Sequence, residues 1–467
     1  MEELEKKVLQ EKFNGLSDLE IAKKYRVSIR FIEKVITKSS GVNISNLSKF
    51  NKVKKIRAFS PSHFKEERTT LWSFKNRGNW ATHSSEYRGN WSPYIPRNII
   101  LKYSKPGELV LDYFCGGGTT AIEAKLLSRK FIGIDINPKA IEMAKRKIDF
   151  EVPKQLFNYE IFEPELKVGD ARDLTFLSDN SVDLICSHPP YANIIHYTNL
   201  KEGDLSFLEV DQFLDEMSKV AKESYRVLKP SKKCAILIGD IRKKGFVIPL
   251  GFKLLDVYLN AGFKLREIVI KQQHNCKTTG IWYNKSLKYN FLLLAHEYLL
   301  VFEKPLMTKD EEYTPRISIV EKEAEYNKEI DKLETTTVWI FPKENFNEKL
   351  IGNITKRYSN FIYFELFFDE KSQNTLNDVK RFLLGKLENL SNNGFLVIQT
   401  KDVRVNGYVE PLAKRIVDLL SNEENLHLKE IIILSTNKQN ENNSKEITDY
   451  LEIVHKYLLV YEVNKKC

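Results

Sequence analysis

Val110-Leu111-Asp112-Tyr113-Phe114-Cys115-Gly116-Gly117-Gly118-Thr119-Thr120 is the stretch that decides the fold. The apolar run Leu109 to Asp112 stops in a glycine-rich turn, and Thr119 to Leu127 then reads as an amphipathic helix, which makes strand, tight turn, helix. Glycines at 116, 117 and 118 remove the Cβ atoms that would hold a ligand off the backbone, and the helix start behind them offers free N–H groups. The next apolar run, Phe131-Ile132-Gly133-Ile134, ends in Asp135, about 20 residues on, where a carboxylate at a strand end can accept both hydroxyls of a ribose. A third run enters Val168-Gly169-Asp170. Three successive strand ends thus carry Gly, Asp and Asp on the carboxyl edge, where open α/β sheets bind ligands. There is no Gly-x-Gly-x-x-Gly, which argues against a dinucleotide and leaves an adenosine-type ligand.

A second block, Asp183-Leu184-Ile185-Cys186-Ser187-His188-Pro189-Pro190-Tyr191, sends an apolar strand into a corner of fixed φ with an aromatic at its tip. Such a corner can hold a planar ring. Together, and in this order, the two blocks resemble those of S-adenosylmethionine-dependent methyltransferases that modify the exocyclic amines of DNA bases (cytosine N4 or adenine N6). The resemblance spans roughly residues 68 to 304. It implies that Asp112, Phe114, Gly116, Gly118 and Thr119 line the cofactor, that Asp135 holds its ribose and that Asp170 meets the adenine amino group. It also implies that His188, Pro189, Pro190 and Tyr191 hold the flipped base, with the Pro189 carbonyl as one acceptor for the amine hydrogens and Tyr191 as stacking platform. His188 departs from the family pattern of Asp, Asn or Ser at the first position. A neutral imidazole accepts a hydrogen bond and an imidazolium does not, so the sequence predicts that activity falls below a pH of about 6.5. Cytosine N4 is slightly favoured over adenine N6. No metal and no covalent nucleophile are expected.

The chain has 467 residues, 42% hydrophobic and 29% charged, enough for a large core and two or three domains. Lys and Arg exceed Asp and Glu by 10, and the pI near 9.0 suits an anionic partner such as double-stranded DNA. Five scattered cysteines lack metal spacing and read as reduced thiols of a cytoplasmic protein, with neither signal peptide nor membrane span expected.

Residues 1–45 resemble a helix-turn-helix, with Leu19 to Tyr25 as one helix and Ser28 capping another, whose Ser28, Arg30 and Lys34 would meet DNA. Residues 46–67 read as a basic linker and 68–306 as the catalytic domain. Within it, Gln272 to Asn290 reads as a loop over the cleft, where Lys277, Trp282 and Lys285 suit phosphate contact and base stacking. Residues 307–332 read as a charged linker. The remainder, 333–467, echoes what precedes it: Asp240-Ile241-Arg242 with Gly245 and Pro249-Leu250 returns as Asp402-Val403-Arg404 with Gly407 and Pro411-Leu412. His296-Glu297-Tyr298-Leu299-Leu300-Val301-Phe302 returns as His455-Lys456-Tyr457-Leu458-Leu459-Val460-Tyr461, and Thr70-Leu71-Trp72 as Thr337-Val338-Trp339. Trp72 and Asp240 lie about 105 residues further apart than Trp339 and Asp402, and the missing stretch holds both motifs.

The fold expected is therefore α/β: a Rossmann-like class I methyltransferase sheet, an N-terminal helical unit and a degenerate C-terminal α/β repeat that forms an internal pseudo-dimer in place of a homodimer. The function expected is site-specific DNA amine methylation in restriction-modification or phage defence, possible partner a cognate restriction endonuclease. The alternatives are an RNA base amine methyltransferase and a catalytically dead, cofactor-sensing DNA regulator.

Overall fold

The apolar run ahead of the glycines is a strand with almost no exposure, as expected of a parallel strand covered on both faces. It belongs to the larger of two units in a computed structural model, residues 58–467; residues 1–57 are the other. The structure describes residues 2–13, 16, 18–27, 31–32, 35, 56, 58–87, 89–152, 160–192, 198, 203–274, 279–306, 315–323, 330, 332–388, 390–436 and 449–464. In the small unit, α1 (Glu2–Phe13) and α2 (Asp18–Tyr25) bury Val8 and Ile21 in a cluster of their own.

In the large unit the first sheet comprises β1 (Leu71–Ser73), β2 (Leu109–Asp112), β3 (Lys130–Asp135), β4 (Glu165–Val168), β5 (Val182–Ser187) and β6 (Leu228–Ile238). A hairpin follows, β7 (Ile241–Lys243) and β8 (Phe246–Ile248), then β9 (Lys264–Gln272) and β10 (His296–Glu303). Its strand order is β1-β9-β10-β6-β5-β2-β3-β4, with β10 antiparallel to both neighbours and the rest parallel. Helices α3 (Tyr94–Tyr103), α4 (Thr119–Leu126), α5 (Pro138–Ile148), α6 (Val210–Val227) and α7 (Leu250–Asn260) cover it. This is a Rossmann-like methyltransferase sheet. α5 begins as its sequence dictates, with the Asn137 side chain accepting from Lys139 N and Pro138 in the first turn. α4 departs from the amphipathic reading: all eight residues are buried, because α3 and the segment before it cover the face meant for solvent. Glu123 is consequently inside, where it accepts from Trp80 Nε1 (2.6 Å) and Arg97 (2.8 Å) and pairs with His83 Nε2 (2.6 Å).

The second sheet comprises β11 (Ile317–Glu321), β12 (Val338–Phe341), β13 (Phe361–Phe368), β14 (Phe395–Thr400), the hairpin β15 (Val403–Val405) and β16 (Tyr408–Glu410), β17 (Leu426–Thr436) and β18 (Lys456–Val463). β11 corrects the reading of residues 307–332 as linker: charged flanks hide Ile317, which is fully buried, and the strand pairs antiparallel with β13. Residues 272–290 also hold more than a loop, since Thr279–Lys288 is a helix, α8.

The second sheet runs β12-β17-β18-β14-β13-β11. Its first five strands follow the same order and directions as β1-β9-β10-β6-β5. Registers agree as well: Tyr298 sits opposite Ile270 and Ile238, and Tyr457 opposite Ile433 and Thr400. Helices α9 (Phe346–Arg357), α10 (Leu376–Leu387) and α11 (Leu412–Leu420) take the chain positions of α3, α6 and α7. Among the described residues, β2, β3, β4 and their helices have no counterpart in the second sheet, and the antiparallel β11 takes the side of β13 that β2 takes beside β5.

The two sheets meet through reciprocal contacts. Thr70 Oγ1 lies 2.8 Å from His455 Nδ1, and Thr337 Oγ1 2.8 Å from His296 Nδ1. Arg404 pairs with buried Glu267 and Arg242 with buried Glu430; Leu451 N donates to the first carboxylate and Leu292 N to the second. Pairs that exchange in this way are those of an isologous contact. One apolar cluster runs through both sheets, with the Phe252 ring centroid 5.5 Å from that of Tyr298 and 6.1 Å from that of Tyr457.

Candidate functional site

Carboxyl ends of β2, β3, β4 and β5 open into one cleft. Its lining includes Asp112, Phe114, Gly116, Asp135, Asp170, His188 and Pro190, so the glycine turn and the Pro-Pro corner share it. Gly116 (φ +49°) and Gly118 (φ +79°) are left-handed, as the turn requires. A Cβ on Gly116 would come within 2.8 Å of the Tyr87 ring, whereas one on Gly118 would strike Ala144 at 2.9 Å. Gly118 therefore serves the packing of α5 against the turn. Neither it nor Thr119, a buried first-turn residue of α4, lines the cleft expected of them.

Asp112 is buried at the strand end, its carboxyl pushed up to about 6 by burial while Ser187 (2.6 Å), Thr120 (2.6 Å) and Phe114 N (3.1 Å) donate to it. Asp135 accepts from Gly116 N (2.9 Å) and Asn137 N (2.8 Å), one to each oxygen, which fixes the carboxylate on the cleft wall. Asp170 is engaged by Arg172 through backbone N and guanidinium, and Arg172 also pairs with Glu216. A ligand amino group would share Asp170 with that guanidinium. The opposite wall is Tyr87, Gly89, Asn90 and Trp91, held by Arg77 donating to the Asn90 (2.7 Å) and Trp91 (2.8 Å) carbonyls. The aromatic richness of residues 71–103 pointed to this wall, but nothing in the sequence singled out these members.

At the corner, His188 lies half-buried, its ring stacked on Trp91 (centroids 5.5 Å, 19°). His188 Nε2 is 2.8 Å from the Tyr191 hydroxyl, which donates to Glu297 Oε1 at 2.8 Å; Lys271 Nζ lies 2.8 Å from Glu297 Oε2. Burial pushes His188 down to about 4, against the nearby Glu297 charge. That corrects the expected acid limb: the ring stays neutral well below 6.5 because the cleft wall strips its water. Burial alone would raise Glu297, but the nearby charge of Lys271 and the hydrogen bonds from Lys271 and Tyr191 hold it at about 2. Gly239, at the end of β6, leaves room for Tyr191, whose ring would lie 2.9 Å from a Cβ there. Tyr191 and buried Pro189 thus back the corner and do not line the cleft. Glu297 and Lys271 escaped the sequence reading; the available signal was a carboxylate directly ahead of the apolar run Tyr298 to Phe302 and its mate on the next strand.

Trp282 and Lys285 are exposed on α8, with Lys285 Nζ 4.5 Å from the Trp282 ring centroid. Ser28, Arg30, Lys34 and Lys277 lie outside the described residues. Among the described residues, no helix is long and apolar enough to cross a membrane.

A family model described as DNA methylase matches residues 22–146 and 182–360, and one described as methyltransferase domain matches residues 104–250. The chain is 35% identical over 106 residues to a tRNA (guanine(10)-N2)-dimethyltransferase of Methanothermobacter thermautotrophicus, covering 22% of this chain and 29% of that protein. It is 36% identical over 102 residues to the type II methyltransferase M.HpaI of Haemophilus parainfluenzae (22% and 30%). With the DNA adenine methyltransferase YhdJ of Escherichia coli it shares 49% identity over 53 residues (11% and 18%). The chain spans under a third of the length of these curated relatives.

Proposed function

Since the chain belongs to the DNA methylase family, whose model covers most of its length, we propose that it transfers a methyl group from S-adenosylmethionine to an exocyclic amine of a base flipped out of duplex DNA. The observation that supports this most is the shared cleft: His188 and Pro190 of the base corner line the same space as Gly116, Asp135 and Asp170. The residues present fit the cofactor. The left-handed Gly116 turn admits a ligand against the backbone, Asp135 presents a carboxylate to the cleft where ribose hydroxyls would lie, and Phe114 and Asp112 line the same space. When bound, S-adenosylmethionine supplies the activated methyl group.

The chain's own work is on the amine, whose lone pair is delocalised into the base ring. Acceptors aimed at the amine hydrogens localise it, and we assign that task to His188, with Pro190 beside it on the cleft wall and Tyr191 bracing the imidazole ring from behind. Cytosine N4 remains the slightly favoured target over adenine N6. We further read residues 333–467 as a degenerate second copy that stands where a second subunit would, which the matching strand order and the exchanged contacts support. On this reading the N-terminal unit and α8 grip DNA, and a cognate endonuclease would place the protein in restriction-modification.

RNA amine methylation is the second reading, favoured by the tRNA-modifying relative. Incubation with labelled S-adenosylmethionine and separate unmethylated DNA and RNA pools, followed by digestion to nucleosides, decides between them. Label in N4-methylcytosine or N6-methyladenine of DNA is expected. Label confined to RNA would replace the reading, and no label with cofactor bound would overturn the assignment as an enzyme.

A further inference from the structure

We propose that Glu297, held by Lys271, fixes the tautomer of His188 through the Tyr191 hydroxyl, so that His188 Nδ1 is the nitrogen that accepts from the target amine. The chain of contacts is short: Lys271 Nζ to Glu297 Oε2, Tyr191 Oη to Glu297 Oε1, and His188 Nε2 to Tyr191 Oη, each 2.8 Å. A carboxylate only accepts, so the single hydroxyl proton of Tyr191 points to Glu297. The tyrosine oxygen then faces Nε2 with a lone pair, and Nε2 must donate. A neutral imidazole carries one N–H, which leaves Nδ1 with the free pair on a ring that lines the cleft. A half-turn of the ring would keep its stack on Trp91 but would put Cε1 in the place of Nε2 and break the contact with Tyr191.

Remove the charge at 297 and Tyr191 can turn its proton toward Nε2. The imidazole then carries its proton on Nδ1, where a donor would face the amine hydrogens. Histidine thus serves at this position, where an amide or carboxyl oxygen would accept without help, because a second group sets its protonation. The second sheet supports the assignment by contrast. By register, Leu434 stands at the place of Lys271, Lys456 at that of Glu297 and Phe368 at that of Tyr191, so the half without the Pro-Pro corner also lacks the relay. Glu297 and Lys271 are positioning residues, since they act through Tyr191 and His188.

The role of Nδ1 rests on the proposed amine methylation, whereas the tautomer does not, and the test separates them. In full-length protein labelled with ¹⁵N-histidine, the signals lost in His188→Asn identify His188. They should report a protonated Nε2 and a bare Nδ1 near neutral pH. Tyr191→Phe and Glu297→Gln should each turn this into a mixture and, at unchanged cofactor affinity, lower kcat about 10²-fold, the scale of one lost hydrogen-bonding group at a reacting centre. In the His188→Asn background, where the acceptor is an amide without tautomers, Glu297→Gln should change kcat by less than about threefold. A wild-type His188 protonated on Nδ1 would overturn the proposal, as would an equal loss in the His188→Asn background. A protonated Nε2 in a protein that methylates no nucleic acid would uphold the tautomer and overturn the function.

Discussion

In the first sheet β5 runs into His188-Pro189-Pro190-Tyr191, which leaves the sheet and puts His188 and Pro190 on the cleft wall; in the second, β13 runs straight on through Glu365-Leu366-Phe367-Phe368 and pairs with β11. The register that puts Ser187 opposite Ile236 puts Phe364 opposite Ile398, so Glu365 occupies the place of His188. Proline cannot donate to a ladder, and two in a row stop the strand. Without them, the strand continues as a pairing surface, and the side that β2 opens to a ligand in one half is closed by β11 in the other. Lys456, at the place of Glu297, pairs with Glu365 at 3.3 Å. The same scaffold thus holds a relay around a ligand in one half and an ordinary ion pair in the other.

The sharpest test of the two-fold relation lies at the contact between halves. Arg404→Ala strands Glu267, and Arg242→Ala strands Glu430, both carboxylates being fully buried. Each should cost about 3–5 kcal/mol by denaturant unfolding. Similar costs fit an exchanged pair, and a several-fold difference would break the symmetry. Deleting residues 335–467 removes both contacts and a large part of the shared apolar cluster, and should leave no soluble folded protein.

At the active corner the halves should differ. His188→Ala is expected to lower the methylation rate by about 10²-fold or more. Glu365→Ala, at the matched register position, should leave the rate within about twofold. Comparable losses in both would mean that the second sheet takes part in the chemistry.

Asp240 and Asp402 sit at matched positions, and burial pushes each carboxyl up to about 7. Such a group keeps its proton in the folded state after the unfolded chain has released it. Its contribution is therefore largest at low pH and is lost as pH rises from about 4 through 7. Asp240→Asn and Asp402→Asn should each gain about 1–3 kcal/mol at pH 8 relative to pH 4, measured by urea unfolding at both. A gain from only one would show that the two environments have diverged. His188, pushed down to about 4, predicts no loss of activity from its own protonation until the pH approaches that value. A decline in methylation near pH 6 belongs instead to Asp112, and should shift in Asp112→Asn.

The smallest effect is expected outside the shared scaffold. The second half has no described helix between β17 and β18 to match α8. Lys285→Ala should weaken DNA binding a few-fold and reduce the salt slope by about one.

The glycine turn and the Pro-Pro corner were legible because each is local: strand, turn and helix follow within a dozen residues, and buried parallel strands read as unbroken apolar runs. The matching strand order of the two sheets was foreshadowed by Arg242 and Arg404 and by the His-x-Tyr triplets at 296–298 and 455–457, which take part in the exchanged contacts. What stayed hidden depends on pairing across strands. Glu297 reaches Tyr191 over 106 positions of sequence, and Lys271 is its neighbour only through the register of β9 and β10. β11 was hidden by its charged flanks, and the buried Glu123 made a helix covered on both sides look amphipathic. The titration of His188 could not be read either, since it depends on what covers the ring.

The central claim is that one chain holds two related halves and one working site. Titration calorimetry of S-adenosylmethionine into the full-length protein tests it directly. One cofactor bound per chain, lost in Asp135→Ala, is the result expected; two per chain, or one that survives Asp135→Ala, would contradict it.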